Sequence, residues 1–168
     1  MNRILERCRR HARVGILEIA MIVLLGSTQS VWADQATDQA ERIRAELQTV
    51  GEDYIAAYNR HDAAAVASFS TENSELIKWS GDIVRGKDNI QKFFEQTFRD
   101  NPNLHMENHL ESARMVNAEA VMTFGTLKFT GNSKNWPSES KFAVLWEKID
   151  GKWKALFDAG FVTTGAEK

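Results

Sequence analysis

The chain has 168 residues, 43% apolar, 26% charged and 10% aromatic, with ten glycines and two prolines, which describes one globular domain and excludes a disordered, collagen-like or repeat chain. Its net charge of −2 is unevenly spread: residues 1 to 33 carry five arginines against two glutamates, a net +3, and the other 135 hold 16 Lys and Arg against 21 Asp and Glu, a net −5. So acidic a body lacks the clustered cations with which a nucleic-acid binder displaces counterions from phosphates.

The first 33 residues have the pattern of a secretory signal peptide. Residues 1 to 13 are basic, Val14 to Gly26 is largely apolar, and Val31-Trp32-Ala33 offers a peptidase site before Asp34. The apolar run is too short for a permanent membrane anchor, which needs about 20 residues. Glu18, inside that run, leaves an uncleaved N-terminus as the alternative. Cys8 is the only cysteine and lies in the leader, so residues 34 to 168 are expected to use no disulfide, thiolate or Cys-ligated metal. The expected product is a free periplasmic or secreted protein.

From Thr37 to Asn59, Ile43, Leu47, Val50, Tyr54 and Tyr58 recur at helical spacing, and Asp62 is placed to cap a short helix from Ala63 to Phe69. Leu76, Ile77 and Trp79 predict a short strand. Ile90, Phe93, Phe94, Thr97 and Phe98 predict a third helix over 88–99, stopped by Asn101-Pro102. Beyond Pro102 the period falls to two, and 104–116, 119–130, 139–149 and 152–162 read as strands. Asp150-Gly151 marks a tight hairpin. Regular pairing across it puts Trp146 opposite Ala155 on one face, and Leu145 opposite Leu156 and Ala143 opposite Asp158 on the other.

Three stretches carry a family resemblance: Tyr54-Ile55-Ala56-Ala57-Tyr58-Asn59-Arg60-His61-Asp62, Val84-Arg85-Gly86-Lys87 through Ile90, and Ile149-Asp150-Gly151-Lys152-Trp153-Lys154 with Asp158. Together they resemble the nuclear transport factor 2-like superfamily, in particular its SnoaL-like and ketosteroid isomerase-like members. The resemblance spans nearly all of 37–163 and implies an α+β domain over 34–168: a cone-shaped, curled antiparallel sheet packed by three N-terminal helices around a pocket. It also implies a homodimer paired through the sheet. Because this fold hosts isomerases, dehydratases, hydrolases and binders, it leaves activity open.

Two residues are candidates for chemistry. Tyr54 falls where the resembling isomerases carry the tyrosine that hydrogen-bonds the developing enolate oxygen, although Leu76 to Lys78 offers no carboxylate where their base stands. A core position in the helical stripe is the alternative for Tyr54. Asp158 lies mid-strand between Phe157 and Ala159, where burial would raise its pKa into the range of a general acid or base, unless it is a structural aspartate paired to a neighbour. Trp79, Phe124, Trp136, Leu145 and Leu156 are the candidate ligand-binding residues. His105, Glu107 and His109 share one strand face, but His105 and His109 would stand roughly 13 Å apart, so cross-strand pairing of Glu107 with Lys128 is the simpler reading and no metal site is assigned. No nucleotide-binding loop, flavin site or redox metal set is present, so no cofactor is expected. Three functional readings stand: binding of a small hydrophobic molecule without chemistry, cofactor-independent acid–base catalysis by Asp158 and Tyr54, and an assembly domain that uses the cone only for dimerisation.

Overall fold

The computed structural model describes residues 14–131 and 136–162, with side chains from residue 37 onward. The predicted leader, with Cys8, therefore lies outside the described side chains, and residues 132–135 of the loop before Trp136 lie outside the described residues. Two compact units divide the chain, the first ending at Ile43 and the second running from Arg44. Everything below concerns the second unit.

Helix α1 (Val14–Asn59) contributes the buried Leu47, Ala57 and Tyr58 to this unit. It stops at Asn59, whose carboxamide behaves like a strand neighbour: Met106 N–H donates to Oδ1 at 2.8 Å, and Nδ2 donates to the Met106 carbonyl at 3.0 Å. His61 follows in the left-handed region with φ 56°. Its Nε2 hydrogen-bonds the Leu104 carbonyl at 2.8 Å, and its ring stacks on Phe98. Asp62 then accepts from Ala65 N–H at 2.9 Å, the expected N-cap of helix α2 (Ala63–Ser68). Helix α3 (Lys87–Asp100) buries Ile90, Phe94, Thr97 and Phe98, one helical stripe, and ends where Asn101 Nδ2 returns to the Thr97 carbonyl.

Six strands form one sheet in the order β2-β1-β6-β5-β4-β3. They are β1 (Ser70–Ile77), β2 (Ile83–Arg85), β3 (His105–Asn117), β4 (Ala120–Thr130), β5 (Glu139–Ile149) and β6 (Lys152–Phe161). The four C-terminal strands lie where the two-residue period predicted them. One expectation is corrected: the sheet is mixed, because β1 runs parallel to β6. That pairing joins segments eighty residues apart, which no local pattern reports. The Asp150-Gly151 turn has φ of 50° and 75°, the positive pair that a tight primed hairpin requires.

The helices cover one face of the sheet. Tyr58, Phe94, Phe98, Met106 and Phe129 form the centre of the core, with Tyr58 meeting Phe98 edge-on at 5.0 Å. On β5 the alternation is clean: Ser140, Phe142, Val144 and Trp146 are buried toward the helices, and Lys141, Ala143 and Leu145 face outward, half-buried. Gly125 on β4 stands opposite Phe142. A β-carbon there would lie 2.5 Å from the Phe142 ring and 2.2 Å from the His109 carbonyl oxygen, so only glycine lets that ring lie across the strand.

Candidate functional site

The feature that shapes the interior is a bulge in the last hairpin. Trp146 pairs with Ala155, but Leu145 pairs with Phe157, so Leu156 is an extra residue. Asp158 therefore stands opposite Val144, not opposite Ala143 as regular pairing predicted. A shift of one residue exchanges the faces of a strand. Asp158 thus joins Phe142, Val144 and Trp146 on the face covered by the helices.

Three spaces adjoin on that face. An inner lobe of about 70 Å³ is walled by residues that include Val66, Phe69, Ile90 and Val144. An outer lobe, also about 70 Å³, is walled by residues that include Tyr58, Trp79, Phe129 and Trp136. Both lobes share Tyr54, Leu76, Phe94, Leu127, Phe142 and Asp158. The two candidate catalytic residues therefore meet at the partition between the lobes. The third space is a groove of about 610 Å³ between α1 and β3, which shares Gly51, Ile55, Asn108, Phe142 and Trp146 with the inner lobe.

The electrostatics of the partition are simple. The Asp158 carboxyl makes no hydrogen bond or ion pair among the described residues, and burial alone pushes its pKa up to about 7. The surface that Asp158 keeps is turned to the two lobes. Tyr54 sits edge-on to Phe69 at 5.6 Å. Burial holds its hydroxyl well above the ordinary tyrosine range, with the negative charge of Asp158 adding to the effect. Tyr54 is therefore a neutral donor at any physiological pH. Asp158 can hold or release a proton near neutrality, the property a general acid or base needs.

The predicted ligand-binding residues divide. Trp79 and Trp136 line the outer lobe, their rings edge-to-face at 4.5 Å. Leu145, Leu156 and Phe124 lie off the cavities. Leu145 faces outward opposite Phe157, Leu156 is the exposed bulge residue, and Phe124 pairs with Ala143 on the outer face under the Arg114 guanidinium. Regular pairing put Asp158 and Leu145 on one face, and the bulge separates them. Conversely, Phe142 lines all three spaces and Trp146 two, while Gly51 and Asn108 flank the junction of lobe and groove. A glycine inside an amphipathic helix and an asparagine at an inward strand position were the available signals. His105, Glu107 and His109 border the groove, and Glu107 pairs with Lys128 and His109 with Thr126 as predicted. Among the described residues no group of three or more side chains is gathered to hold a metal ion.

No curated protein matches the chain. Solved structures do. A protein of cystatin-like fold from Nostoc punctiforme is 18% identical, with a TM-score of 0.64 over 73% of this chain and 80% of its own. An NTF-2 like protein from Shewanella oneidensis is 21% identical, with a TM-score of 0.63 over 71% and 98%. A protein from Novosphingobium aromaticivorans, provisionally named a scytalone dehydratase, is 14% identical, with a TM-score of 0.67 over 76% and 89%. These likenesses establish the α+β fold of the nuclear transport factor 2-like, or cystatin-like, proteins. The model of the SnoaL-like domain matches residues 51–156, more than half of the chain and every named wall of the two lobes except the last strand's Asp158 and Gly160, and the chain belongs to that family.

Proposed function

We propose that this is an exported protein that binds a small, largely apolar molecule against Asp158 and Tyr54. The observation that carries the reading is the Asp158 carboxyl: it is half-buried, makes no hydrogen bond or ion pair among the described residues, and borders two cavities whose other walls are mostly aliphatic and aromatic. A structural aspartate in such a place takes a protein donor. One without a donor is supplied by what enters the cavity. Export is inferred from the basic, apolar and small-residue succession of residues 1 to 33. A second copy would pack on the outer sheet face, where Phe161 and Leu156 are exposed.

The test is native mass spectrometry of the protein recovered from the cell envelope, once under gentle conditions and once unfolded. A discrete mass released on unfolding, from a chain shortened to begin at Asp34, supports both binding and export. A chain recovered in full length from the cytoplasm overturns export. A chain that is empty, and that also takes up no phenol at millimolar concentration, overturns binding.

The convergence of Asp158 and Tyr54 on one partition favours a second reading, acid–base catalysis. Asp158 as carboxylate takes a proton from carbon beside a substrate carbonyl, Tyr54 donates a hydrogen bond to the enolate oxygen, and Asp158 returns the proton at a second carbon, so nothing is consumed. The naming of one structural neighbour as a dehydratase is consistent with proton chemistry on this fold. Turnover of the released molecule that Asp158→Asn abolishes would support it. Turnover unaffected by that change would refute it.

A further inference from the structure

We infer that the inner lobe takes an oxygen-bearing end of the ligand, with oxygens on two adjacent carbons, one meeting Asp158 and the other meeting the hydroxyl of Ser74. The inference rests on the binding reading above and adds to it a second polar contact and the chemistry of the end that enters.

Ser74 is 1% exposed and lines the inner lobe. It stands two residues before Leu76 on β1, and both line the lobe, so alternation turns both side chains toward the helices. The Ser74 carbonyl accepts from Gly86 N–H at 2.8 Å, whereas the Ser74 hydroxyl makes no hydrogen bond among the described residues. Other buried hydroxyls here are bonded. Ser140, also 1% exposed, donates to the Phe161 carbonyl at 3.1 Å, and Thr123 Oγ1 accepts from the Trp146 indole N–H at 2.8 Å. A buried hydroxyl that borders a cavity and has no protein partner is satisfied from the cavity. Alanine would fill the same position without a polar atom to satisfy.

Spacing gives the chemistry. In the parallel pairing of β1 with β6, Leu76 stands opposite Asp158, so Ser74 is displaced two residues along the neighbouring strand on the same face. Strands about 4.8 Å apart, with a rise of about 3.3 Å per residue, put the two backbones roughly 8 Å from each other. Side chains leaving one face side by side keep about that separation. A single oxygen with a hydrogen bond of about 2.8 Å on either side spans only about 5.6 Å. Two oxygens on neighbouring carbons close the distance. The lobe, at about 70 Å³, is several times the space a single water needs, about 10 to 15 Å³, and takes a group of a few heavy atoms. Ser74 can donate or accept, and Tyr54 donates to the oxygen beside Asp158. A carboxylate has both oxygens on one carbon and brings a like charge to Asp158, so a neutral diol or hydroxycarbonyl unit is the class that fits.

The test compares 1,2-ethanediol with 1-propanol, which exchanges one hydroxyl for a methyl at nearly constant size. Their binding to ¹⁵N-labelled native protein, Ser74→Ala, Ser74→Cys and Asp158→Leu is followed at pH 6 by the amide shifts of Ser74, Leu76 and Asp158. Ser74→Ala is expected to melt no lower than the native protein, because it removes a hydroxyl without a protein partner. It is expected to lower the preference for the diol over propanol by about fivefold or more, with Ser74→Cys intermediate. Asp158→Leu is expected to weaken both alcohols. If Ser74→Ala leaves the diol-to-propanol ratio unchanged, or melts well below the native protein, the two-oxygen end is overturned, and the binding reading survives where both alcohols depend on Asp158. If neither alcohol shifts these amides, or both bind without regard to Asp158, both readings fall.

Discussion

Replacing Asp158 with asparagine keeps the shape of the side chain and removes its titration, so the pH dependence of stability isolates this one group. The native carboxyl holds its proton up to about pH 7, whereas an unfolded aspartate releases it near its ordinary value of 3.8. Between those values the native state carries the extra proton, and stability falls as pH rises. The contribution is whole below about pH 4 and lost above about pH 7. At about 1.4 kcal/mol for each pH unit, the separation amounts to about 4 kcal/mol. The groups nearest in the same space do not confuse the result. Tyr54 and Tyr58 are both held above their ordinary range, and Lys78, which borders the outer lobe, is paired with Asp82 at 2.8 Å. The remaining titratable groups are common to both proteins and cancel in the difference. The assay is urea unfolding of native protein and Asp158→Asn at half-unit steps from pH 4.5 to 8.5. The native protein is expected to lose about 3 to 4 kcal/mol relative to the variant across that range. Parallel curves would refute the buried, unpaired carboxyl and the acid–base reading built on it.

Other substitutions test the scaffold around it. Asn59→Ala removes both hydrogen bonds to the Met106 backbone and is expected to cost about 1 to 3 kcal/mol in urea unfolding. Gly125→Ala forces a methyl against the Phe142 ring and the His109 carbonyl and is expected to cost several kcal/mol; because the second contact is backbone, adding Phe142→Leu should recover only part of the melting temperature. Deleting Leu156 removes the extra residue yet leaves Ala155 opposite Trp146 and Asp158 opposite Val144, so the folded deletion variant should keep the pH-dependent stability described above. Loss of that dependence in a folded protein would show that the strand does not keep Asp158 opposite Val144 once Leu156 is gone, and would refute this account of the register.

The helices, the Asp62 cap, the Asp150-Gly151 turn and the four C-terminal strands were legible because each is written in a local period or a local turn chemistry. The parallel pairing of β1 with β6 was not, since it joins distant segments with no local signature. The candidate site was legible in its chemistry and not in its geometry. Asp158 stood out as a carboxylate in an apolar strand, and Tyr54 by its place in a helix that resembles others. The face on which Asp158 lies depended on a single unpaired residue, Leu156, and nothing in Lys154-Ala155-Leu156-Phe157 distinguishes a bulge from regular alternation. The same half-turn error moved Leu145 and Leu156 onto the expected cavity wall and left Phe142 and Trp146 as plain core.

The position of Asp158 is hard to explain on grounds of stability. Domains of this size are stable by about 5 to 15 kcal/mol. A carboxyl that costs about 4 kcal/mol above pH 7 consumes a large share of that margin. Its cross-strand partner is Val144 and its chain neighbours are Phe157 and Ala159, so a leucine or valine would fill the same place without the penalty. Aspartates with a structural role take donors, as even the exposed Asp62 does by accepting from Ala65 N–H at the start of α2. Among the described residues Asp158 has no such donor, and it follows a bulge that itself interrupts the hairpin. An interrupted strand ladder and an unpaired carboxyl at one point both act against the fold, and the carboxyl is accounted for if the missing donor belongs to a ligand.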